Sequence, residues 1–351
     1  MGGSPPPAGG RARVAVFMNL PAGMPPTLLR RELEGRPRAR DLLAGRELVV
    51  HTCGAGWVPG TGEGAEGVYR VFRWLDTAGA GIREWSLECG PRLVEASRVR
   101  RWRDAGISRI SLTAPDPEAV ARIRDAGMAC VSVEIPMRDR STTSLAELLS
   151  VLPEAGATEV VLRGEELPDG SDEVVDLHHW RVAREHLDLL GFRPLEPWRF
   201  QLPEHRCEYA RFIRLRRPLV GLGPGAISFR NPMRRWNVPN EADWAGRLRS
   251  GMPVDTRTEH QRPGERRVER LWGALSGSEG LRVPASLRSG EALRKTGLPL
   301  GTLQARGRRL LPTWAGWEAL DELVVALLRC ADSMDVAGTR GARGGRLRGP
   351  T

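Results

Sequence analysis

Lysine is almost missing from this chain: of 53 basic residues only Lys295 is a lysine, and two tyrosines and six phenylalanines stand beside eleven tryptophans. The formal charge of +10 is therefore an arginine excess. Those arginines are spread through both halves with acids between them. Binding nucleic acid by counterion release needs cations gathered on one face, so that function class is set aside. The five cysteines, Cys53, Cys89, Cys130, Cys207 and Cys330, are odd in number and include no CxxC pair. This excludes a zinc ribbon or a thioredoxin-type site and fits a reducing cytoplasm, where cysteine acts as a small buried hydrophobe. No window of about 18 apolar residues spans a bilayer. The Gly/Pro-rich residues 1–12 have no apolar signal core and read as a disordered leader of a cytoplasmic protein. The Gly/Arg-rich residues 333–351 read as a disordered tail. P-loop, HExxH and nucleophile-elbow patterns are also missing.

What is present is an alternation. Short β-branched runs, Arg13–Asn19, Glu47–Thr52, Glu84–Glu88, Arg109–Thr113, Cys130–Ile135 and Glu159–Arg163, predict strands. Between them Gly67–Ala78, Leu93–Ala105, Asp116–Ala126, Ser144–Ala155 and Val174–Leu190 carry helical periodicity. Glycines close several of these helices (Gly79, Gly106, Gly127, Gly156, Gly191), where a left-handed residue suits the C-cap. Asp116 and Ser144 stand where N-caps belong. Units repeating about every 25 residues predict a parallel sheet, either open and doubly wound or a barrel. With no strong dinucleotide fingerprint the barrel, complete or partial, is favoured, with chemistry at the C-terminal strand ends. The expected layout is a βα barrel over 13–200, an extension and polar loop over 201–260 and a small mostly helical, winged-helix-like domain over 261–332. In that domain Gly264–Ala274, Leu287–Thr296 and Trp314–Leu328 predict helices.

Several side-chain groupings suggest chemistry. Arg230, Arg234 and Arg235 beside Trp236 suit bidentate capture of a carboxylated substrate. His205 and Cys207 form a possible iron ligand set in an irregular segment. His178, His179, Glu185 and His186 share a helix, but His179 and His186 are two turns apart, so a solvated face is expected rather than a metal pair. Gly62–Gly67 fits G-x-G-x-x-G by letter but carries two acids that would repel phosphate, and reads as a loop.

The ordered run of local motifs resembles the radical-SAM oxygen-independent coproporphyrinogen III oxidase and haem-chaperone family. The residues carrying the resemblance are Asn19–Gly23 (NLPAG), Ser86–Pro91 (SLECGP), Gly106–Leu112 (GISRISL), Gly221–Ser228 (GLGPGAIS), Arg235–Asn237 (RWN), Gly251–Pro253 and Leu311–Gly316 (LPTWAG). The resemblance implies a radical-SAM barrel holding S-adenosylmethionine. It places Glu88, Arg109 and Glu134 at the cofactor pocket, with Gly54 and Gly56 as the remnant of a glycine-rich loop and Gly223 and Gly225 in a second one. Read from their chemistry alone, Arg234, Arg235 and the flat Trp236 indole suit a tetrapyrrole or other anionic substrate.

The sequence departs from the family where the iron–sulfur chemistry would begin. Three thiolates in C-x-x-x-C-x-x-C hold the family's [4Fe–4S] cluster, and the matching residues here are Gly23, Thr27 and Arg30, none of them a soft anionic ligand. Cys53 and Cys89, expected at neighbouring strand mouths, are two thiols rather than three. The expectation is a cluster-less relative binding S-adenosylmethionine, a tetrapyrrole or a pathway intermediate. Alternatives are a haem-binding or haem-transfer protein using His205, a non-radical S-adenosylmethionine-dependent enzyme, and a scaffold for an active radical-SAM partner.

Overall fold

The computed structural model describes residues 12–54, 63–137, 141–164, 177–283 and 301–329. The chain divides into two compact units. In the first, the predicted alternation is realised as β1 (Arg13–Asn19), α1 (Thr27–Glu34), α2 (Pro37–Leu43), β2 (Glu47–Cys53), α3 (Glu63–Ala78), β3 (Ile82–Cys89), α4 (Ala96–Asp104), β4 (Arg109–Leu112), α5 (Pro117–Asp125), β5 (Cys130–Pro136), α6 (Thr142–Ala155), β6 (Glu159–Arg163) and α7 (Leu177–Leu189). After these come β7 (Arg193–Glu196), β8 (Arg199–Gln201), α8 (Glu208–Arg214), β9 (Leu219–Leu222), β10 (Ile227–Arg230), β11 (Met233–Asn237), α9 (Glu241–Arg249) and β12 (Asp255–His260).

All twelve strands share one sheet in the order β12-β11-β10-β9-β1-β2-β3-β4-β5-β6-β8-β7. From β9 to β6 every ladder is parallel. Among the described residues β9 and β6 do not pair with each other, so the sheet is a partial barrel with antiparallel flanks. The parallel strands are largely buried on both faces, with Val, Ile and Leu on the helix-facing side and polar residues alternating onto the other. Val14, Val16, Val50, Trp85, Leu87 and Ile110 fill the layer between sheet and helices.

The inner face alternates with that layer. Ala15 and Val49 on it pack against Phe212 of α8, with Tyr209 and Leu219 alongside. The short helix α8 therefore fills the space that a closed barrel would pack with its own aliphatic side chains.

The segment expected to be a polar loop is instead the run β9–β12. Four-residue strands and a half-exposed edge such as β12, with the sequence DTRTEH, lack the apolar run that marks a buried strand. Two further expectations are corrected. The N-cap of α6 is Ser141, whose hydroxyl accepts from the Ser144 amide at 3.1 Å, whereas Asp116 caps α5 as expected. Helix α3 begins at Glu63, so most of the Gly62–Gly67 stretch is helix and not loop.

The second unit contains Leu195–Pro197 and the described residues from Arg262 on. Helices α10 (Pro263–Leu275), α11 (Trp314–Glu318) and α12 (residues 320–329) accompany strands β13 (Leu281–Arg282), β14 (Leu303–Arg306) and β15 (Arg309–Pro312). The strands form an antiparallel sheet in the order β13-β15-β14. Leu275, Leu320, Leu323, Val324 and Leu327 make its core, and the Trp317 indole donates to the Leu275 carbonyl. Helices with a small antiparallel sheet give the winged-helix-like shape expected. The predicted helix Leu287–Thr296 lies outside the described residues.

Candidate functional site in the open barrel

The inner wall is unusually polar for a parallel barrel, whose interior is normally filled by branched aliphatic residues. Its polar groups fall into two sets, one at each end of the strands.

At the N-terminal end the groups pair with one another, although Arg109 Nε and Nη1 and Glu159 Oε2 have no hydrogen-bond partner among the described residues. Arg109, at the start of β4, is 2% exposed and lies 3.4 Å from Glu159 at the start of β6. Glu159 also pairs with Arg199 and accepts from the Ser132 hydroxyl at 2.8 Å. Burial pushes the Glu159 carboxyl up, but Arg199 and Arg109 outweigh it and hold the group below the usual carboxylate range. Glu84 accepts from the Glu208 and Tyr209 amides at 2.9 and 3.1 Å, capping the first turn of α8 and anchoring the plug. The His205 ring approaches the Cys130 sulfur at 3.4 Å, and Arg109 donates to the His205 carbonyl.

At the C-terminal end a second set faces the mouth. His51 of β2 is sandwiched between Phe17 and Tyr209, with ring centroids 6.0 and 4.7 Å away. Its Nε2 lies 3.4 Å from Glu88 at the end of β3. The hydrogen bond from His51, then the charges of His51 and Arg163, hold the Glu88 carboxyl below its ordinary range against the opposing effect of burial. Glu134 of β5 pairs with Arg163 of β6 at 2.7 Å. Below this set, Ser86, midway along β3 on the same face as Glu88 and in register with both His51 and Arg109, has a buried hydroxyl without a partner among the described residues. Cys53 shares the inner face of β2 with His51, and burial together with Glu88 pushes its thiol up to about 12. Cys89 alternates onto the helix side of β3 and is also pushed up to about 12 by burial.

The expected site residues therefore separate. Glu88 and Glu134 are at the mouth. Arg109 is not; it stands at the opposite end of its strand because β4 begins at that residue, and it belongs to an internal ion-pair network. The expected glycine cradles are engaged within the protein. A Cβ on Gly54 would meet the Leu20 carbonyl at 2.4 Å, so this glycine lets β1 and β2 approach each other. The Gly223 amide donates to Glu32, and the Gly225 amide donates to the Val238 carbonyl. Gly56 lies outside the described residues.

The expected substrate clamp is likewise absorbed. Arg234 lies 5.7 Å from both the Phe229 and Trp236 rings and pairs with Glu259. Arg235 pairs with Asp255 at 3.1 Å. These arginines and Trp236 form cross-strand ladders on the antiparallel flank, not a free clamp. His186 bonds Ser150 of α6, and among the described residues no group of three or more His, Cys, Asp or Glu side chains could hold a metal ion.

The positions matching the family's cluster ligands are exposed: Gly23 in a turn, Thr27 at the start of α1, and Arg30 on its outer face paired with Glu34. They offer no thiolate, and the inward Cys53 is one thiol with its pKa raised. This donor set does not fit a [4Fe–4S] cluster.

Sequence reasoning missed His51, Ser86 and Tyr209. The available signal was alternation: in ELVVHTC the polar His51 follows Val49 by two on the inward face of an otherwise aliphatic strand.

The first unit is thus a partial parallel βα barrel with antiparallel flanks and a helical plug, a fold shared with a solved radical SAM enzyme. Among solved structures the chain is similar to coproporphyrinogen III oxidase (HemN) from Escherichia coli, a radical SAM enzyme. The TM-score is 0.65, with 15% identity over 90% of each chain. The FeFe-hydrogenase maturase HydG from Carboxydothermus hydrogenoformans matches over 51% of each chain, at 12% identity and a TM-score of 0.34. No family model matches the chain, and no curated protein matches it.

Proposed function

We propose that the chain is a cluster-less protein of radical-SAM fold whose barrel mouth binds a compact ligand with amino and hydroxyl groups. S-adenosylmethionine is the leading candidate. The observation that carries this reading is Glu88, a carboxylate kept ionised by His51 on the inner wall of the mouth. Below it on the same face lies the unpartnered Ser86 hydroxyl, and a buried polar atom of this kind calls for a ligand or water. Reductive cleavage of S-adenosylmethionine is outside this proposal, because nothing at Gly23, Thr27 or Arg30 would hold the cluster it requires.

A second reading rests on the His51–Glu88 pair itself. An imidazole whose Nε2 is held by a carboxylate can hold or move a proton at its other nitrogen, Nδ1, the arrangement used in general acid–base catalysis. This favours a polar, non-radical reaction in the same mouth. The haem alternative gains less support, since His205 sits against Cys130 at the far end of the strands.

Titration calorimetry with S-adenosylmethionine and S-adenosylhomocysteine tests the reading. Losing a hydrogen bond to a charged group removes about 1.5–3 kcal/mol, so Glu88→Gln is expected to weaken binding at least about tenfold. Equal affinity in both proteins, or no binding at all, overturns it. Near-stoichiometric iron and acid-labile sulfide after anaerobic reconstitution would overturn the cluster-less assignment. A Soret band on adding haem, lost in His205→Ala, would select the haem alternative instead.

A further inference from the structure

A cavity of about 1070 Å³ lies outside the barrel, walled by α1–α2, by the hairpin β10–β11 and by the segment from α9 to β12. Its buried floor is aliphatic and aromatic, with Leu42, Val220, Phe229 and Leu248 beneath it. Met252, 52% exposed, stands at its edge.

The charges around it do not balance locally. Each carboxylate in the lining already has a cation: Glu32 pairs with Arg36, Glu34 with Arg30 and Asp255 with Arg235. Four further lining arginines, Arg31, Arg38, Arg230 and Arg249, are exposed and have no partner among the described residues. They come from all three walls, so the surplus positive charge surrounds the floor and is not confined to one helix end.

We propose that this groove docks an acidic, amphipathic segment of a partner protein, its apolar residues on the floor and its carboxylates against the four free arginines. Unpaired guanidinium groups facing an apolar trough match carboxylates bidentately. A second copy of this chain is disfavoured as the occupant, since the chain carries a formal charge of +10. Single-stranded nucleic acid would stack its bases on exposed aromatic faces, and the only aromatic in the lining, Phe229, is buried. The volume also lies at the upper end of ordinary small-molecule pockets, about 300–1,000 Å³, which favours a chain segment. The inference stands independently of what the barrel mouth binds.

The test uses the full chain and three fluorescein-labelled probes: a peptide of leucine–glutamate repeats, its leucine–lysine counterpart and an oligouridylate. Fluorescence anisotropy is read at rising salt. The expected result is binding of the acidic peptide alone, weakened at least about tenfold, or about 1.4 kcal/mol, in the double variant Arg38→Glu with Arg249→Glu. The double variant Arg100→Glu with Arg101→Glu, an equal charge change on the exposed face of α4, should leave binding near wild type. Circular dichroism melting confirms that each variant folds. Four results overturn the proposal: no binding of the acidic peptide, equal loss in both double variants, unchanged binding in the groove variant, or preferential binding of the oligouridylate.

Discussion

Replacing Glu32 by alanine is expected to destabilise the first unit by about 3–5 kcal/mol, the range for removing one partner of a buried charge cluster. Glu32 is 1% exposed and accepts from four donors: the Arg36 guanidinium at 2.8 Å, the Gly223 amide at 2.8 Å, the Asn237 amide at 2.7 Å and the Trp244 indole at 3.0 Å. Burial leaves its carboxyl above the usual range although Arg36 and the three neutral donors pull it down. Alanine would leave the Gly223 amide and the Trp244 indole without this acceptor, while Arg36 keeps Gly221 and Ser228 and Asn237 keeps the Gly223 carbonyl; an unsatisfied buried donor carries its full desolvation penalty. Glutamine keeps one acceptor oxygen and should lose less. Urea unfolding of wild type, Glu32→Ala and Glu32→Gln reads the order directly. A Glu32→Ala loss under about 1 kcal/mol would show that water replaces the carboxylate and that the cluster contributes little.

Glu159→Ala should produce a loss of similar size, about 3–5 kcal/mol, by leaving Arg109 and Arg199 without their shared anion. Arg109 is enclosed, so its charge has no easy route to solvent. The informative companion is the double variant Glu159→Met with Arg109→Met. Removing a buried ion pair as a whole is often near neutral, so the double variant should recover much of the stability. If it is as unstable as Glu159→Ala alone, the loss comes from packing or from the Ser132 and Arg199 contacts, and the ion-pair explanation fails. Neither variant should abolish ligand binding at the mouth, since Glu88 and His51 lie toward the other end of the strands.

The parallel core was legible because its signal is local. Runs such as RVAVFMN and RISL are buried on both faces, and glycines with positive φ at Gly106, Gly127, Gly156 and Gly191 mark the helix ends. The flank β9–β12 was not, because its strands gain stability from cross-strand pairs such as Arg234–Glu259 and Trp236–Arg257, which no short window contains. The site divides in the same way. Glu88 and Glu134, expected from motif position, lie on the inner face toward the C-terminal ends of β3 and β5. Arg109 was assigned to the wrong end because position in a motif does not tell where a strand begins. The GLGPGA segment was read as a ligand cradle, yet Gly223 is there because a Cβ would come within 1.9 Å of the Asn19 carbonyl. A glycine needed for backbone-on-backbone approach looks the same in sequence as one needed for a ligand.

The place of β1 in the sheet has a consequence for synthesis. The first strand of the chain is not at an edge; it lies between β2 and β9, with Ala15 opposite Leu219. During translation β1 must wait with one edge unpaired until the ribosome has delivered residues some two hundred positions later. Glu32 waits equally long, since its Gly223 partner is 191 residues away. Long-range parallel pairing of this kind is slow, and the waiting edge is open to other chains. A nascent or truncated form ending before β9 would thus be the species most dependent on chaperones, because among the described residues only β9 covers the waiting edge of β1.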